Sequence, residues 1–153
     1  MTLQAVKEYF SDFNMDHRIM VLNTSTATVD EAAKAHGVDP DQIAKTLSFK
    51  INDNPILIVV SGTAKIDNQK YKRHFLKKAK MLNQQEALDH TGHAIGGVCP
   101  FGLKNPIDVY LDTSLKKHTE VIPAAGDLNS SIRLTIEEIE QHSNFKDWVD
   151  VCK

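Results

Sequence analysis

A glycine-rich stretch from Gly92 to Gly102 is the part of the sequence best suited to chemistry. It reads GHAIGGVCPFG and holds four of the seven glycines in the chain. Adjacent Gly96 and Gly97 allow backbone angles and close approaches that a Cβ would block, and Pro100 stiffens the end of the loop. Such a loop can present backbone N–H groups to a ligand oxygen. A tight turn between a helix and a strand is an equally good interpretation.

Sulfur, metal and nucleotide chemistry have less support in this stretch. It matches neither GxGxxG nor GxxxxGK[ST], so neither a dinucleotide site nor a Walker-type phosphate site is predicted. A nucleophilic Cys99 would need a base and an orienting group, which the scattered histidines do not identify, so a small residue that fills the loop is favoured. His90, His93 and Cys99 lack a fourth ligand at suitable spacing, and we predict no metal and no cofactor.

Lys45 is the second candidate for chemistry. It lies where a short helix that starts at Asp39-Pro40 meets a strand that begins at Thr46. The end of a strand is a rigid place from which a side chain can reach a pocket. The alternative is an edge lysine that points into water, which is more common for any single lysine.

A strongly basic segment covers residues 65–80. It carries seven Lys or Arg side chains and one acid, a net charge of +6, whereas the rest of the chain carries −8. Tyr71 and Phe75 are spaced as the buried face of a helix, which leaves the lysines around them free. The segment is either a solvated helical face or a surface that binds phosphates, so a polyanion held at one place is a possible partner.

Length and composition indicate one domain that spans residues 1–153. The chain has a mass of 17.1 kDa, with 41% hydrophobic and 25% charged residues, so disorder and coiled coil are poor fits. Two cysteines without CxxC spacing do not form a disulfide scaffold. We find no signal-peptide core and no apolar run long enough to cross a membrane, and we expect a cytoplasmic protein.

Local signals predict an irregular alternation of helices and strands. We predict three capping boxes, which begin at Thr28, Asn83 and Thr135, and helix ends at Gly37 and Gly92. The segment Leu3–Phe13 reads as a first helix with Thr2 as its N-cap, and the basic segment reads as another helix. The strands are predicted at residues 18–22, 46–51, 56–60, 107–111 and 131–136, with one more around Val121.

A cluster of turn-forming residues, Asn52 to Pro55, joins the second and third strands as a hairpin. Antiparallel pairing of this kind argues against a doubly wound parallel fold. The predicted class is α+β, with a mixed, curved, partly barrel-like β-sheet and flanking helices.

Several of these motifs, in this order and spacing, give the chain its resemblance to one family. They are Thr28–Ala33 (TVDEAA), Asp41–Leu47 (DQIAKTL), Thr91-Gly92 followed by Gly96–Gly102 (GGVCPFG), Asp108–Asp112 (DVYLD) and Ala124–Gly126 (AAG). From about Val6 to the C-terminal helix, the chain resembles the YbaK / prolyl-tRNA-synthetase-associated domain family. Its members are small trans-editing aminoacyl-tRNA deacylases.

The resemblance implies hydrolysis of the ester that joins a wrongly attached amino acid to the terminal adenosine of a tRNA, typically tRNA(Pro). The family works without a metal or a conventional protein nucleophile, and the terminal ribose hydroxyl and a positioned water assist the cleavage. Lys45 falls on the signature lysine of the family. The glycine-rich loop, with Gly96, Gly97, Cys99 and Pro100, falls on the loop that surrounds the carbonyl. Cys99 stands where serine is common, so thiol chemistry remains an alternative.

The same resemblance implies a set of binding residues. Residues from Leu22 to Thr28 would form a wall that excludes large amino acids, so the expected substrate carries a small one such as alanine, cysteine or serine. Ala124 stands where some members have serine. The predicted substrate-binding residues are Leu22, Thr24, Thr28, Thr46 and Gly126, and the predicted tRNA-binding residues are Lys70, Lys77 and Lys78.

The expected partners are the acceptor end of a mischarged tRNA and a prolyl-tRNA synthetase, with no membrane. Two other functions remain open. One is a non-catalytic module that binds tRNA or a synthetase through the lysines, and the other is a thiol hydrolase that uses Cys99. The sequence does not indicate the oligomeric state.

Overall fold

The computed structural model describes residues 2–153. The helices are α1 (Thr2–Ser11), α2 (Val29–His36), α3 (Asn68–Phe75), α4 (Gln84–Thr91) and α5 (Ile136–His142). The strands are β1 (Ile19–Val21), β2 (Ile43–Ile51), β3 (Asn54–Ser61), β4 (Asp108–Asp112), β5 (Glu120–Pro123), β6 (Ser130–Ile132), β7 (Leu134–Thr135) and β8 (Phe145–Val149). Short 3₁₀ turns cover Asp16–Arg18, Pro40–Gln42 and Thr113–Lys117.

Six of the strands form one curved mixed sheet, a half-barrel in the order β7-β5-β2-β3-β4-β8. Strand β2 pairs antiparallel with β3 and parallel with β5, and β4 pairs parallel with both β3 and β8. Strands β1 and β6 form a separate antiparallel pair. The predicted α+β class with a mixed, curved sheet is confirmed.

The β2–β3 hairpin forms the centre of the sheet, as predicted, but its turn is tighter than the sequence indicated. Ile51 pairs with Asn54, so only Asn52 and Asp53 make the turn, with φ of +50° and +69°. Two positive φ angles are typical of the turn whose twist matches a hairpin, and Asn and Asp adopt them more readily than most residues. Pro55 therefore lies inside β3 rather than in the turn.

Both faces of β3 are buried, which places hydrophobic cores on the two sides of the sheet. Leu57 and Val59 belong to the core under α1 and the glycine-rich loop, whereas Ile56, Ile58 and Val60 belong to the core under α3. A strand covered on both faces needs an unbroken apolar run, which Ile56–Val60 provides. A smaller third cluster lies under α2.

The helix ends follow their local signals. The three predicted capping boxes are present: Thr28 with Glu31, Asn83 with Glu86, and Thr135 with Glu138. The predicted glycine ends are present as well, with Gly37 and Gly92 in the left-handed conformation.

The prediction of one helix over the whole basic segment is wrong. Only Asn68–Phe75 is helical, because Leu76 adopts a left-handed conformation with φ of +62° and donates its N–H to the Lys72 carbonyl. Tyr71 is fully buried and Phe75 packs against the same core, as their spacing predicts. The residues after Leu76 lead to the edge of β2, where the backbone of residues 80–82 bonds Ser48 and Lys50.

Two smaller predictions also need correction, and one strand was missed. Thr2 is not an N-cap, because it lies inside α1 and its hydroxyl donates to the Gly126 carbonyl. The predicted strand 131–136 is two short strands, since Arg133 interrupts the pairing and Ile136 begins α5. Strand β8 lacked a clear sequence signal, because its residues FKDWV alternate only weakly between polar and apolar.

Arg18 and Glu138 form an ion pair that ties the start of β1 to α5. The Arg18 guanidinium bonds both carboxylate oxygens, with Nη2 at 3.0 Å from Oε1, and Nη2 also bonds the Arg133 carbonyl. The side-chain hydrogen bond from Arg18 lowers the pKa of Glu138 from its usual 4.5 to about 2, and the capping bond from Thr135 adds to the effect.

We expect this pair to make stability depend on pH. A depressed folded pKa gives a contribution that is present above about pH 5 and is lost as the pH falls toward 2. Because both side chains are partly exposed, solvent screening limits the contribution to about 1 kcal/mol. Glu138→Gln should therefore lower the free energy of unfolding by that amount at pH 7 and by less than half as much at pH 3. Urea unfolding at both pH values measures this, and an equal loss at both would contradict it.

Among residues 2–153, none of the helices has the length and apolar character that crossing a membrane requires.

Candidate active site

The sheet leaves a gap at one edge of β2, and the gap borders a cavity. Strand β5 pairs with β2 only at Ile43 and Ala44. Residues 80–82 reach the same edge only further along, where their backbone bonds the Ser48 carbonyl at 3.0 Å. Between these contacts, at Thr46, no strand formed by residues 2–153 pairs with this edge. The cavity has a volume of about 180 Å³. Since drug-sized ligands occupy ~300–1,000 Å³, it suits a small group.

Apolar side chains form most of the cavity wall. They are Ala27, Val29, Ala32, Ile43, Ala44, Leu47, Met81, Leu82, Ile95, Val98, Ile122 and Ala124. The polar lining residues are Thr26, Thr28, Lys45, Thr46, Ser48 and Ser131, and Gly96 completes the wall. No Asp or Glu within residues 2–153 lines the cavity, and Lys45 is the charged residue among those that do. No three His, Cys, Asp or Glu side chains within residues 2–153 are grouped so that they could hold a metal ion.

Lys45 stands at the start of the gap and is half-buried. Burial lowers the pKa of its ammonium group, Cys152 acts in the opposite direction, and Lys65 adds to the lowering. Among residues 2–153, no carboxylate lies within 4 Å of the Lys45 ammonium nitrogen. A partly desolvated ammonium without a carboxylate partner interacts more strongly with a phosphate or a developing oxyanion than an exposed one does.

Gly96 brings the glycine-rich loop to the same cavity. Its φ is +99°, and a Cβ there would lie 2.8 Å from Cδ2 of Leu128 and 3.2 Å from Cβ of Ala27. The positive φ favours glycine at this position, whereas the Leu128 side chain could move to admit a Cβ. The Gly96 N–H bonds no acceptor within residues 2–153. Lys45 and Gly96 thus line one cavity.

Gly97 shapes the loop and does not present its N–H to a ligand, contrary to the expectation from the sequence. Its N–H already donates to the Ala94 carbonyl at 2.9 Å, so this amide is not available to a ligand. A Cβ at Gly97 would lie 2.8 Å from the carbonyl oxygen of Gly126 and 3.1 Å from the amide nitrogen of Asp127. Gly97 therefore allows the loop to pack directly on the turn that contains Gly126.

Gly126 supports the loop from behind and does not line the cavity. Its φ is +100°, and a Cβ would lie 2.6 Å from the Thr2 carbonyl oxygen. The Thr2 hydroxyl donates to the Gly126 carbonyl. A Cβ at Gly102, at the end of the loop, would likewise lie within 3 Å of the backbone of Ala5. Helix α1 therefore holds the two turns in place from outside, which no sequence motif indicated.

Cys99 and Pro100 are buried residues of the glycine-rich loop, and neither lines the cavity. The Phe101 carbonyl oxygen accepts two hydrogen bonds, one from the Cys99 thiol and one, at 2.8 Å, from Nε2 of His93. The thiol sulfur lies 3.6 Å from the same Nε2. Because a carbonyl only accepts, Nε2 carries the proton and cannot take one from the thiol. Burial raises the pKa of Cys99 to about 12 and lowers the pKa of His93. This geometry anchors the loop.

The wall before α2 is built from fewer residues than expected. Residues 26–29 line the cavity, whereas Leu22 and Thr24 do not. The Thr28 hydroxyl accepts the Glu31 N–H at 3.1 Å, so it mainly positions the start of α2. Thr46 lines the cavity, and its Oγ1 is buried without a hydrogen-bond partner.

The three predicted tRNA-binding lysines lie outside the cavity. They differ in whether their ammonium groups already have a partner in the protein. The Lys70 ammonium bonds the Cys152 carbonyl at 2.9 Å and pairs with Asp150 at 3.2 Å, so it is already engaged. Lys77 and Lys78 are exposed, and neither pairs with an acid of residues 2–153. They lie between α3 and Met81, a residue of the cavity wall.

Sequence reasoning missed two polar residues of the cavity, Ser48 and Ser131. Ser48 follows Thr46 by two residues, and alternate residues of a strand share a face, so this periodicity could have identified it. Ser131 comes from β6, which is remote in sequence, and no local signal pointed to it. The apolar lining residues Ile95 and Val98 flank the glycine pair and could have been added from the loop itself.

The chain belongs to the aminoacyl-tRNA editing domain family, whose model matches residues 23–141. The match includes β2, the glycine-rich loop and every residue that lines the cavity. The expected resemblance is therefore confirmed at the level of the family.

Individual relatives agree with this assignment. The chain is 49% identical to the uncharacterized protein YwhH of Bacillus subtilis, over 100% of this chain and 98% of that one. It is 28% identical to EbsC of Enterococcus faecalis, provisionally named a Cys-tRNA(Pro)/Cys-tRNA(Cys) deacylase, over 90% of this chain and 80% of that one. It is also 23% identical to the proline–tRNA ligase of Thermosipho melanesiensis, of which it spans only 24%.

A solved structure supports the fold over the whole chain. A crystal structure described provisionally as a trans-editing enzyme for prolyl tRNA synthetase superposes with a TM-score of 0.89 at 30% identity. The superposition covers 99% of this chain and 97% of the other.

Proposed function

We propose that this protein is a trans-editing hydrolase that removes a small non-cognate amino acid from a mischarged tRNA. The proposed substrate is tRNA(Pro) that carries alanine, cysteine or serine. Membership of the editing family supports the reaction, and the relatives named for tRNA(Pro) or prolyl-tRNA synthetase support the choice of tRNA. The observation that carries the proposal is that Lys45 and the unbonded Gly96 N–H line one small cavity.

The proposed chemistry needs positioning more than a strong nucleophile, because an ester is already activated relative to an amide. A water, assisted by the terminal ribose hydroxyl, attacks the carbonyl carbon. The ester C–O bond breaks, and the ribose oxygen leaves with a proton to give free amino acid and uncharged tRNA. The Gly96 N–H would stabilise the developing oxyanion, and the Lys45 ammonium would hold the terminal nucleotide or the same oxygen.

A deacylation panel tests the proposal. Purified protein is incubated with tRNA(Pro) charged in turn with alanine, cysteine, serine and proline, and the remaining ester is measured over time. We expect rapid loss of at least one small non-cognate amino acid and no acceleration of Pro-tRNA(Pro) hydrolysis above the rate without protein. The absence of turnover with every mischarged tRNA would overturn the proposal.

Lys77 and Lys78 provide the proposed contact with tRNA phosphates. Replacing both by alanine should raise the KM for mischarged tRNA with little change in kcat. The slope of log(kcat/KM) against log[salt] should become less steep by roughly 0.7–0.9 for each lost contact. The matched control replaces Lys117 and Lys146, two exposed lysines outside the basic segment. An unchanged salt slope in the Lys77/Lys78 variant would show that the segment is only solvated.

Lys70 forms a useful contrast within the same basic segment. Because its ammonium already bonds the Cys152 carbonyl, Lys70→Ala should affect the anchoring of the C-terminal residues more than tRNA binding.

The exposed lysines also support a second candidate, a non-catalytic module that binds tRNA or a synthetase. Such a module would bind tRNA with the same salt dependence but would not release the amino acid. The deacylation panel distinguishes the two, since only the enzyme turns over.

A thiol hydrolase that uses Cys99 has less support, because the thiol is buried and does not line the cavity. We expect Cys99→Ser to retain deacylation within about threefold, since one buried hydrogen-bonded group of similar size replaces another. We also expect iodoacetamide to leave the folded protein active. The thiolate is the reactive form, and burial keeps the Cys99 thiol protonated by raising its pKa to about 12. Loss of activity on both treatments would restore the thiol mechanism.

We further propose that the protein acts in the cytoplasm on the acceptor end of the tRNA, either alone or beside a prolyl-tRNA synthetase. The relatives that include proline–tRNA ligases support this association, and co-purification with the synthetase in the presence of tRNA would test it.

A further inference from the structure

The cavity contains hydroxyl groups that the rest of the chain does not use. Ser48 and Ser131 line it and are only 7% and 2% exposed. Neither hydroxyl forms a hydrogen bond with any of residues 2–153. The neighbouring Oγ1 of Thr46, on the same face of β2 as Ser48, is buried without a partner.

Hydroxyls without a protein partner need an explanation in a wall that is otherwise mostly apolar. Most buried side-chain polar atoms in proteins have a partner, and leaving one without a partner is destabilising, as it is for Oγ1 of Thr46. The hydroxyls of Ser48 and Ser131 keep access to the cavity, and an apolar wall would fill the same space without offering polar groups to it. The serines are therefore best explained by a ligand group that donates to them or accepts from them.

The depth of these residues indicates which part of a substrate they would meet. Met81 and Ile95, at 56% and 52% exposed, belong to the open side of the cavity, whereas Ser48 and Ser131 belong to its most buried part. In an aminoacyl-tRNA the amino acid is the terminal group, so it reaches deepest when the tRNA enters from the open side. The hydroxyls then surround the aminoacyl group.

We propose that Ser48 and Ser131 are specificity-determining residues that select an aminoacyl group with a small hydrogen-bonding side chain, serine in particular. The inference rests on the proposed function and names its substrate class. A serine hydroxyl can both donate to and accept from the two protein hydroxyls. An apolar side chain of the same size leaves them unpaired, and a site built in this way discriminates strongly against such an analogue.

The test compares two side chains of equal size. Serine and 2-aminobutyrate differ only in a hydroxyl against a methyl group, so their esters on tRNA(Pro) separate hydrogen bonding from volume. We expect the wild-type protein to deacylate the seryl ester at least about tenfold faster in kcat/KM. Ser131→Ala and Ser48→Ala should each reduce this ratio by about tenfold, mainly by slowing the seryl ester.

Controls separate specificity from folding. Ser11→Ala, at an exposed serine at the end of α1, should leave the ratio unchanged. Thermal unfolding identifies a variant that fails to fold, and because the two serines lie on different strands, either variant alone is sufficient for the test.

Each outcome gives a definite answer. A reduced ratio in the serine variants supports the proposal. Equal rates for the two esters with the wild-type protein overturn it and leave the editing function intact. A parallel loss for both esters overturns it as well, because the hydroxyls would then hold a part that all substrates share. If the wild-type protein hydrolyses no mischarged tRNA, the proposed function itself fails.

Discussion

Replacing Lys45 by alanine should lower kcat/KM for mischarged tRNA by about 10²- to 10³-fold, the usual effect of removing one group that stabilises developing charge. Lys45 is the charged group of the cavity in the described chain, so no other cation in the wall can replace it. Single-turnover deacylation measures the loss at the chemical step.

The fold should survive this substitution. A half-buried lysine without a carboxylate partner contributes little through ion pairing, so the melting temperature of Lys45→Ala should stay close to that of the wild-type protein. Lys65→Ala is the matched control. Lys65 is exposed and lies outside the cavity, and its charge contributes to the lowered pKa of Lys45. A Lys45→Ala protein that retains more than about a third of the wild-type rate would remove Lys45 from the proposed mechanism.

Gly97→Ala is the second substitution with a large expected effect. The new Cβ would lie 2.8 Å from the Gly126 carbonyl oxygen, 2.9 Å from its carbon and 3.1 Å from the Asp127 nitrogen. These are backbone atoms, so they cannot turn away as a flexible side chain can. The glycine-rich loop must move, and it carries the Gly96 N–H with it. A displacement of about 1 Å at a positioned group can reduce a rate by about 10²-fold.

We therefore expect Gly97→Ala to lose at least about 10²-fold in kcat and to unfold at a lower temperature. Gly37→Ala is the matched control, since Gly37 has a φ of +67° but nothing lies within 4 Å of its added Cβ. It tests backbone strain without a clash, and it should cost about 1 kcal/mol of stability with no effect on kcat. Wild-type activity in Gly97→Ala would show that the packing of the two turns does not position the site.

Local interactions explain which elements could be predicted from the sequence. A capping box needs residues only three apart, and a hairpin turn needs two, so these elements follow from neighbouring residues. The same is true of the apolar run of β3. The motifs around Lys45 and Gly96 indicated the candidate site, and these two residues line the same cavity.

Two features of the backbone could not be predicted from residue type. Gly96 and Gly97 are identical in type and adjacent, yet one N–H bonds no acceptor within residues 2–153 and the other bonds Ala94. Helix α3 ends at Leu76, although neither a glycine nor a proline is present there to predict the end of a helix. Residue type alone does not decide either outcome, because the Gly97 amide closes a turn onto Ala94 and the Leu76 amide closes the last turn of α3 onto Lys72.

The sequence by itself determined the family, the α+β class, the helix caps and the residues that carry the recognisable motifs. The tertiary structure decided which of those residues share a cavity and brought Ser131, from a strand remote in sequence, to its wall. The physical reason is that caps and turns are set by hydrogen bonds between near neighbours. The lining of a cavity depends instead on contacts between elements that are separated by tens of residues and meet only when the sheet curves.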